Sequence, residues 1–182
     1  MRYVLIAVGI LAVLAGAVAV IGWSLPTHHR VTLRRAYRAT PSALFALISD
    51  VRAFPSWRSD VKTVEVLPED GGRLRWREAT KNGSPITYAL EQSVPDQLLV
   101  GRIADEHLPF GGSWTYELAS DTPDVTTLSI TEDGEVYNPI FRFVSRYVMG
   151  QSATIERYLD DVAKRFPPAA IPSAPSSGSS SR

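Results

Sequence analysis

Hydrophobic and polar positions divide the chain into three regimes. From Tyr3 to Thr27 there is no charged residue, and the run YVLIAVGILAVLAGAVAVIGW is apolar on every side. From Arg30 to about Thr131 the pattern alternates with a period of two. From Pro139 to Phe166 apolar residues recur every three or four positions. These periods predict an apolar helix, a series of strands and an amphipathic helix, in that order.

As a helix, Tyr3–Leu25 spans roughly 35 Å at about 1.5 Å per residue, enough for a hydrocarbon core of about 30 Å. Tyr3 and Trp23 sit near its ends, as in an aromatic belt, and Pro26 stops it. Two readings fit. One is an uncleaved single-pass anchor over residues 1–26. The other is a signal peptide cut at Ala15-Gly16-Ala17 or Ala17-Val18-Ala19. The apolar run continues past both sites through Trp23, and Arg2 is the whole charged leader, which favours the anchor. Arg30, Arg34, Arg35 and Arg38 follow the span and tilt the positive-inside rule toward a cytoplasmic domain. They also fall in a predicted strand, so the side of the membrane stays open.

In RVTLRRAYRA (30–39), Val31, Leu33, Arg35, Tyr37 and Ala39 share one face. Thr40-Pro41 is a helix start, with Thr at the N-cap and Pro in the first turn, ahead of SALFALIS. Pro55 limits the next helix to a turn or two. Strands are predicted at Val61–Leu67, Arg73–Thr80, Ile86–Val94, Gln97–Ala104, Ser113–Ala119 and Val125–Thr131. Turn residues such as Gly71-Gly72, Asn82-Gly83 and Pro95-Asp96 separate most of them, as in an antiparallel meander. The 3–4 periodicity from Ile140 to Phe166 predicts one helix of about seven turns, stopped by Pro167-Pro168. The division is then an anchor (1–26), a linker (27–30), a domain (31–166) and a disordered Pro/Ser-rich tail (167–182). The architecture is α+β. A curved antiparallel sheet of about seven strands wraps a long C-terminal helix, preceded by a transmembrane helix.

Charge and composition narrow the function. Lys+Arg and Asp+Glu are 19 each among 182 residues. Residues 1–49 hold five Arg and no acid, which leaves 14 basic against 19 acidic side chains downstream. No nucleic-acid partner is expected on that balance. Cys is 0 and His is 3, which excludes disulfides and thiolate chemistry; no metal site and no cofactor are assigned.

Five strings carry a resemblance: ATPSALFALISDVRAFPSW (39–57), PDQLL (95–99), GGSWTYEL (111–118), TTLSITEDGEV (126–136) and YLDDVAKRF (158–166). With this element order the chain resembles the START-like, or SRPBCC, superfamily of helix-grip proteins. That superfamily includes the birch-pollen allergen, lipid-transfer START domains and polyketide cyclase/dehydratases. The resemblance implies a deep apolar cavity between sheet and helix. It implies a membrane-tethered module that binds a small hydrophobic ligand: a lipid, isoprenoid or polyketide-like compound. A cyclase/dehydratase-type enzyme is the alternative, and a scaffold whose cavity is filled by its own side chains is a third reading.

The candidate ligand-binding residues are Tyr37, Trp57, Trp76, Tyr88, Trp114, Tyr116, Phe110, Phe141, Val144 and Val148, large or apolar positions expected to face the helix. For acid–base work the candidates are Glu78, Tyr88 and His107, with no role assigned. An inward Arg35 needs a carboxylate, for which Glu78 or Glu91 is available; Gln92 is a further polar residue on an apolar face. His107 has no nucleophile motif beside it and reads equally as a solvated loop residue. His28-His29 reads as a marker of the membrane–water boundary. Leu108, Pro109, Phe110, Ile140 and Phe141 are expected to form an apolar lip at the cavity mouth. No feature bears on oligomeric state.

Overall fold

In the computed structural model, the described residues are 1–170 except Asn82 and Gln151, without the side chains of Val148 and Met149. Helix α1 runs Arg2–Ser24, followed by β1 (His28–Tyr37), α2 (Pro41–Ser49), a 3-10 turn at Val51–Ala53 and the single-turn α3 (Phe54–Trp57). Strands β2 (Val61–Asp70), β3 (Arg73–Thr80), β4 (Ile86–Val94), β5 (Leu98–Ile103), β6 (Phe110–Thr122) and β7 (Val125–Val136) come next. Helices α4 (Pro139–Val144) and α5 (Ala153–Ala163) and the two-residue β8 (Pro168–Ala169) complete the chain. The sheet is antiparallel, in the order β2-β3-β4-β5-β6-β7-β1-β8. This is the expected helix-grip fold.

The local signals act as their chemistry requires. Thr40 Oγ1 accepts from Ala43 N at 3.2 Å, with Pro41 at the first helical position. Asn138 Oδ1 accepts from Ile140 N and Phe141 N at 2.9 and 3.1 Å and starts α4. Register shifts in β2–β3, β4–β5 and β6–β7 bend the sheet. Its concave face receives α5 through Ile155, Tyr158, Leu159 and Val162, all buried. They pack with Tyr37, Trp57, Leu128 and Ile130. Each such fully buried large apolar side chain contributes about 1.5–3 kcal/mol, so this contact holds α5 firmly on the sheet.

Several expectations change. The helix from Pro139 to Phe166 is not continuous: Ser145–Met149 is π-helical, Gly150 has φ +76°, and α5 starts afresh at Ala153. A residue with a side chain resists that φ, so Gly150 is where the chain can turn α5 onto the sheet. β6 and β7 are longer than predicted, because Gly111-Gly112 and Asp133-Gly134 lie within the strands, with Gly112 paired to Gly134. β1 begins at His28, inside the expected linker. Pro168–Ala169 extends the sheet where a tail was expected to begin; residues 171–182 of that tail lie outside the described residues.

Helix α1 is long and apolar enough to cross a membrane. Its side chains are exposed except along Val18, Ala19, Gly22 and Leu25, the stripe that meets α4. Gly22 is buried there, and a Cβ on it would overlap the carbonyl of Pro139. Arg142 Nη1 donates to the carbonyls of Gly22 at 3.3 Å and Leu25 at 2.9 Å, and Nη2 to that of Tyr137 at 3.1 Å. A guanidinium at a helix C-terminus satisfies orphan carbonyls and complements the helix dipole.

Candidate functional site

Enclosed by the sheet, α4 and α5 is a cavity of about 640 Å³, within the range of ligand pockets. The period-two pattern builds its wall. Leu99, Gly101 and Ile103 on β5 all point inward, as do Leu74, Trp76 and Glu78 on β3. Trp76 and Tyr88 stack with ring centroids 5.6 Å apart, and Tyr88 meets Trp114 edge-on at 5.9 Å. Gly101 leaves space between these rings; a Cβ there would touch the Trp76 ring at an ordinary 3.6 Å. Exposed Lys81, Gly83, Gly150 and Arg157 form the rim, between the β3–β4 hairpin and the α4–α5 connection.

Two polar clusters face this space, with β4, β5 and β6 between the strands that carry them. On the β3 side, Arg58 Nη1 donates to both oxygens of Glu78 at 3.2 and 3.0 Å, and its Nε and Nη2 donate to Asp60 at 3.3 and 3.0 Å. Trp76 Nε1 donates to Glu78 Oε1 at 2.8 Å. The guanidinium lies 5.0 Å from the Phe54 ring centroid and 5.4 Å from that of Tyr158. Burial pushes the Glu78 carboxyl up, while Arg58 and the Trp76 N–H oppose the shift. Burial likewise raises the phenols of Tyr88, Tyr116 and Tyr158, so each keeps its proton at neutral pH. None of these three hydroxyls has a hydrogen-bond partner among the described residues, although Tyr37 and Tyr137 hydroxyls do.

On the β7–β1 side, His29 Nε2 lies 3.4 Å from Glu132 Oε1, with both side chains about 15% exposed. Trp114 Nε1 donates to Glu132 Oε2 at 3.2 Å. Burial raises the Glu132 carboxyl, opposed by His29 and then by the Trp114 hydrogen bond. The His29 ring lies over the cross-strand Gly134, where a Cβ would fall inside the imidazole. Gly134→Ala is therefore expected to expel the ring at a cost of about 1–3 kcal/mol. The checks are the denaturation midpoint and the His29 imidazole resonances; unchanged resonances would refute the contact.

The structure sorts the sequence candidates unevenly. Trp76, Tyr88, Trp114, Tyr116, Phe110 and Phe141 line the cavity. Tyr37 and Trp57 are core instead: the Tyr37 hydroxyl donates to Leu159 O at 2.7 Å, and Trp57 packs edge-on against Tyr158. Val144 is half-buried outside the wall, and the Val148 side chain lies outside the described residues. Glu78 and Tyr88 face the cavity together, whereas His107 is exposed on the β5–β6 loop and joins neither cluster. Arg35 pairs with Asp160 on α5 at 2.7 Å, not with Glu78 or Glu91. Gln92 is exposed, since the register shift after Leu90 turns it outward. Of the expected lip, Phe110 and Phe141 stack at 5.7 Å in the cavity wall, Ile140 points to solvent, and Leu108 and Pro109 take no part in the wall. Arg58, Asp60, His29 and Glu132 are site residues that sequence reasoning missed. Extending the β1 alternation two residues back would have put His29 on the inner face with Val31 and Leu33.

Residues 28–167 match the family model described as polyketide cyclase / dehydrase and lipid transport. The chain belongs to that family. Among solved structures it is similar to a START superfamily protein from Mycobacterium smegmatis, at 19% identity and TM-score 0.59, covering 75% of this chain and 96% of that one. It is similar to the Zhui aromatase/cyclase from a Streptomyces species at 14% identity and TM-score 0.58, covering 76% and 95%. A truncated norcoclaurine synthase from Thalictrum flavum gives 9% identity and TM-score 0.62, covering 76% and 92%. At these identities the likeness is one of fold. No curated protein matches the sequence.

Proposed function

We propose that this family member is a membrane-tethered module that binds a small apolar molecule bearing one or more oxygen groups. The observation that carries the reading is the cavity: about 640 Å³, walled by aromatic and aliphatic side chains, with three tyrosines in its lining whose hydroxyls have no hydrogen-bond partner among the described residues. An apolar ligand gains by leaving water there, and its oxygens give those hydroxyls partners. The 23-residue apolar α1 supports the tether. The Arg142 clasp holds the end of α1 against α4, whose Phe141 lines the cavity, so the cavity keeps a fixed attitude to the bilayer. Arg30 and Arg35 are strand residues paired with Asp133 and Asp160, so they weigh less as a topology signal than a basic linker would.

Holding is favoured over chemistry in the β3-side cluster. Glu78 is engaged by Arg58 and Trp76, and the neighbouring phenols are too weakly acidic to give up a proton at neutral pH. A second reading, a cyclase-type enzyme, draws on the His29–Glu132 pair, an imidazole and a carboxylate side by side in the wall of the same cavity.

The test fills the cavity from within. In Gly101→Leu the Cβ has ordinary room, and the added side chain occupies the space beside Trp76. Full-length protein purified in nanodiscs is expected to yield a co-purifying apolar molecule by native mass spectrometry, and the folded Gly101→Leu variant is expected to lose it. Retention of the same molecule at the same occupancy by the variant would sink the binding reading.

A further inference from the structure

The cavity carries one guanidinium in its interior wall, and that charge is already consumed. Arg58 is bonded to two carboxylates and covered by the rings of Phe54 and Tyr158. The remaining cations of the lining, Lys81 and Arg157, are exposed at the rim. Facing the space are Asp60 and Glu78 on one side and Glu132 on the other. Glu132 has one imidazole beside it. Tyr116 lies within electrostatic reach of Arg58 first and of Glu78 and Glu132 after it, so the middle of the cavity feels the paired guanidinium together with both acidic clusters.

The consequence follows from elementary electrostatics. A ligand anion entering the interior sheds its water and finds phenol O–H donors but, among the described residues, no interior cation besides the already paired Arg58, since Lys81 and Arg157 stay at the rim. It is also repelled by buried carboxylates in a medium of low effective dielectric constant. A hydroxyl or carbonyl meets no such opposition, since the phenols of Tyr88, Tyr116 and Tyr158 can donate to it.

We propose that the cavity selects its ligand by head-group charge, taking a neutral hydroxyl- or carbonyl-bearing apolar molecule such as a long-chain or isoprenoid alcohol and rejecting fatty-acid carboxylates and lipid phosphates. This rests on the ligand-binding reading above and adds to it the class of ligand.

The experiment compares one hydrocarbon chain carrying two head groups. Full-length protein in phosphatidylcholine nanodiscs is labelled with a photoactivatable oleyl alcohol, and the cross-links are mapped to peptides carrying Trp76, Trp114 or Tyr116. Unlabelled oleyl alcohol and oleate then compete, at alkaline pH where the acid is ionised, each compared at equal mole fraction in the bilayer. Oleyl alcohol is expected to protect these peptides at a mole fraction about tenfold or more below that needed for oleate, given the repulsion from the buried carboxylates. Glu132→Gln, which removes one negative charge at constant shape, is expected to narrow that gap. Equal protection by alcohol and oleate would overturn the charge rule while leaving the binding reading intact. Cavity labelling that neither competitor reduces, or labelling that Gly101→Leu leaves unchanged, would overturn both.

Discussion

Arg58→Ala is expected to remove about 3–5 kcal/mol of folding stability at neutral pH, the usual consequence of deleting one partner of a buried ion pair. Folded domains are held by about 5–15 kcal/mol in total, so this is a large part of the whole. It corresponds to a loss of roughly 6–20 °C in Tm for a chain of this size. The reason is geometric. Glu78 is 3% exposed, and its two oxygens depend on Arg58 Nη1 and Trp76 Nε1. Without Arg58 the carboxylate is left in an apolar wall with one indole N–H.

The deficit depends on pH in a defined direction. In the variant the main influence opposing burial is gone, so the Glu78 carboxyl rises further above its ordinary 4.5. A carboxyl raised in the folded state is protonated in both states below its unfolded pKa, where its penalty vanishes. Above that value the unfolded chain releases the proton first, and stability falls until the folded pKa is passed. The gap between parent and variant is therefore expected to open once pH passes the parent's own folded Glu78 value, which already lies above 4.5, and to widen until the variant's is passed. Arg58→Met combined with Glu78→Gln removes both charges, keeps an acceptor for Trp76, and is expected to recover much of the loss. Urea denaturation of the full chain in micelles at several pH values checks this; an Arg58→Ala variant as stable as its parent at pH 7 would show that solvent reaches the pair.

The parts of this molecule that were legible in the sequence are those governed by local chemistry. Periods of two and 3.6, Thr40-Pro41 and the turn at Gly71-Gly72 lie within a few residues of what they determine. The rings at 76, 88, 114 and 116 were legible for the same reason, because alternation alone puts them on one face. What escaped depends on partners far along the chain. Asp133-Gly134 is turn chemistry in isolation; it becomes strand because Gly112 and His29 lie across from it. Arg58 follows α3, where no periodicity says that its head will reach Glu78. His107 was singled out by residue type, which says nothing of position, and its loop carries it away from the cavity. The break at Gly150 was masked because apolar spacing continues through it and only the backbone changes hand.

Asp161 shows how such a distant partner sets the site, and its loss is the second large effect expected. YLDDV reads as ordinary helix, with two acids on a solvated face. Yet Asp161 is 1% exposed, and its Oδ2 accepts from Ser59 N at 2.6 Å and Ser59 Oγ at 2.8 Å, while Lys164 Nζ donates to Oδ1 at 2.6 Å. These bonds pin α5 to the residue next to Arg58, and one turn earlier on the same helix Tyr158 lies against that guanidinium. Hydrogen bonds to a charged group contribute about 1.5–3 kcal/mol, so Asp161→Asn, which keeps the shape and loses the charge, is expected to cost about 2–3 kcal/mol at pH 7. Burial alone would raise this carboxyl, but the bonds from Lys164 and Ser59 together hold it below its ordinary 3.8. A carboxyl lowered in the folded state contributes fully above its unfolded pKa and loses that contribution as pH falls through the folded value. The Asp161→Asn deficit is therefore expected to be constant from neutral pH down to about 4 and to close below 3.8; like the Arg58→Ala deficit it shrinks in acid, but in a lower pH window. Denaturation midpoints of both proteins across that range decide the matter: a deficit that persists undiminished in strong acid would assign the loss to packing and not to the charge that ties α5 to the floor of the cavity.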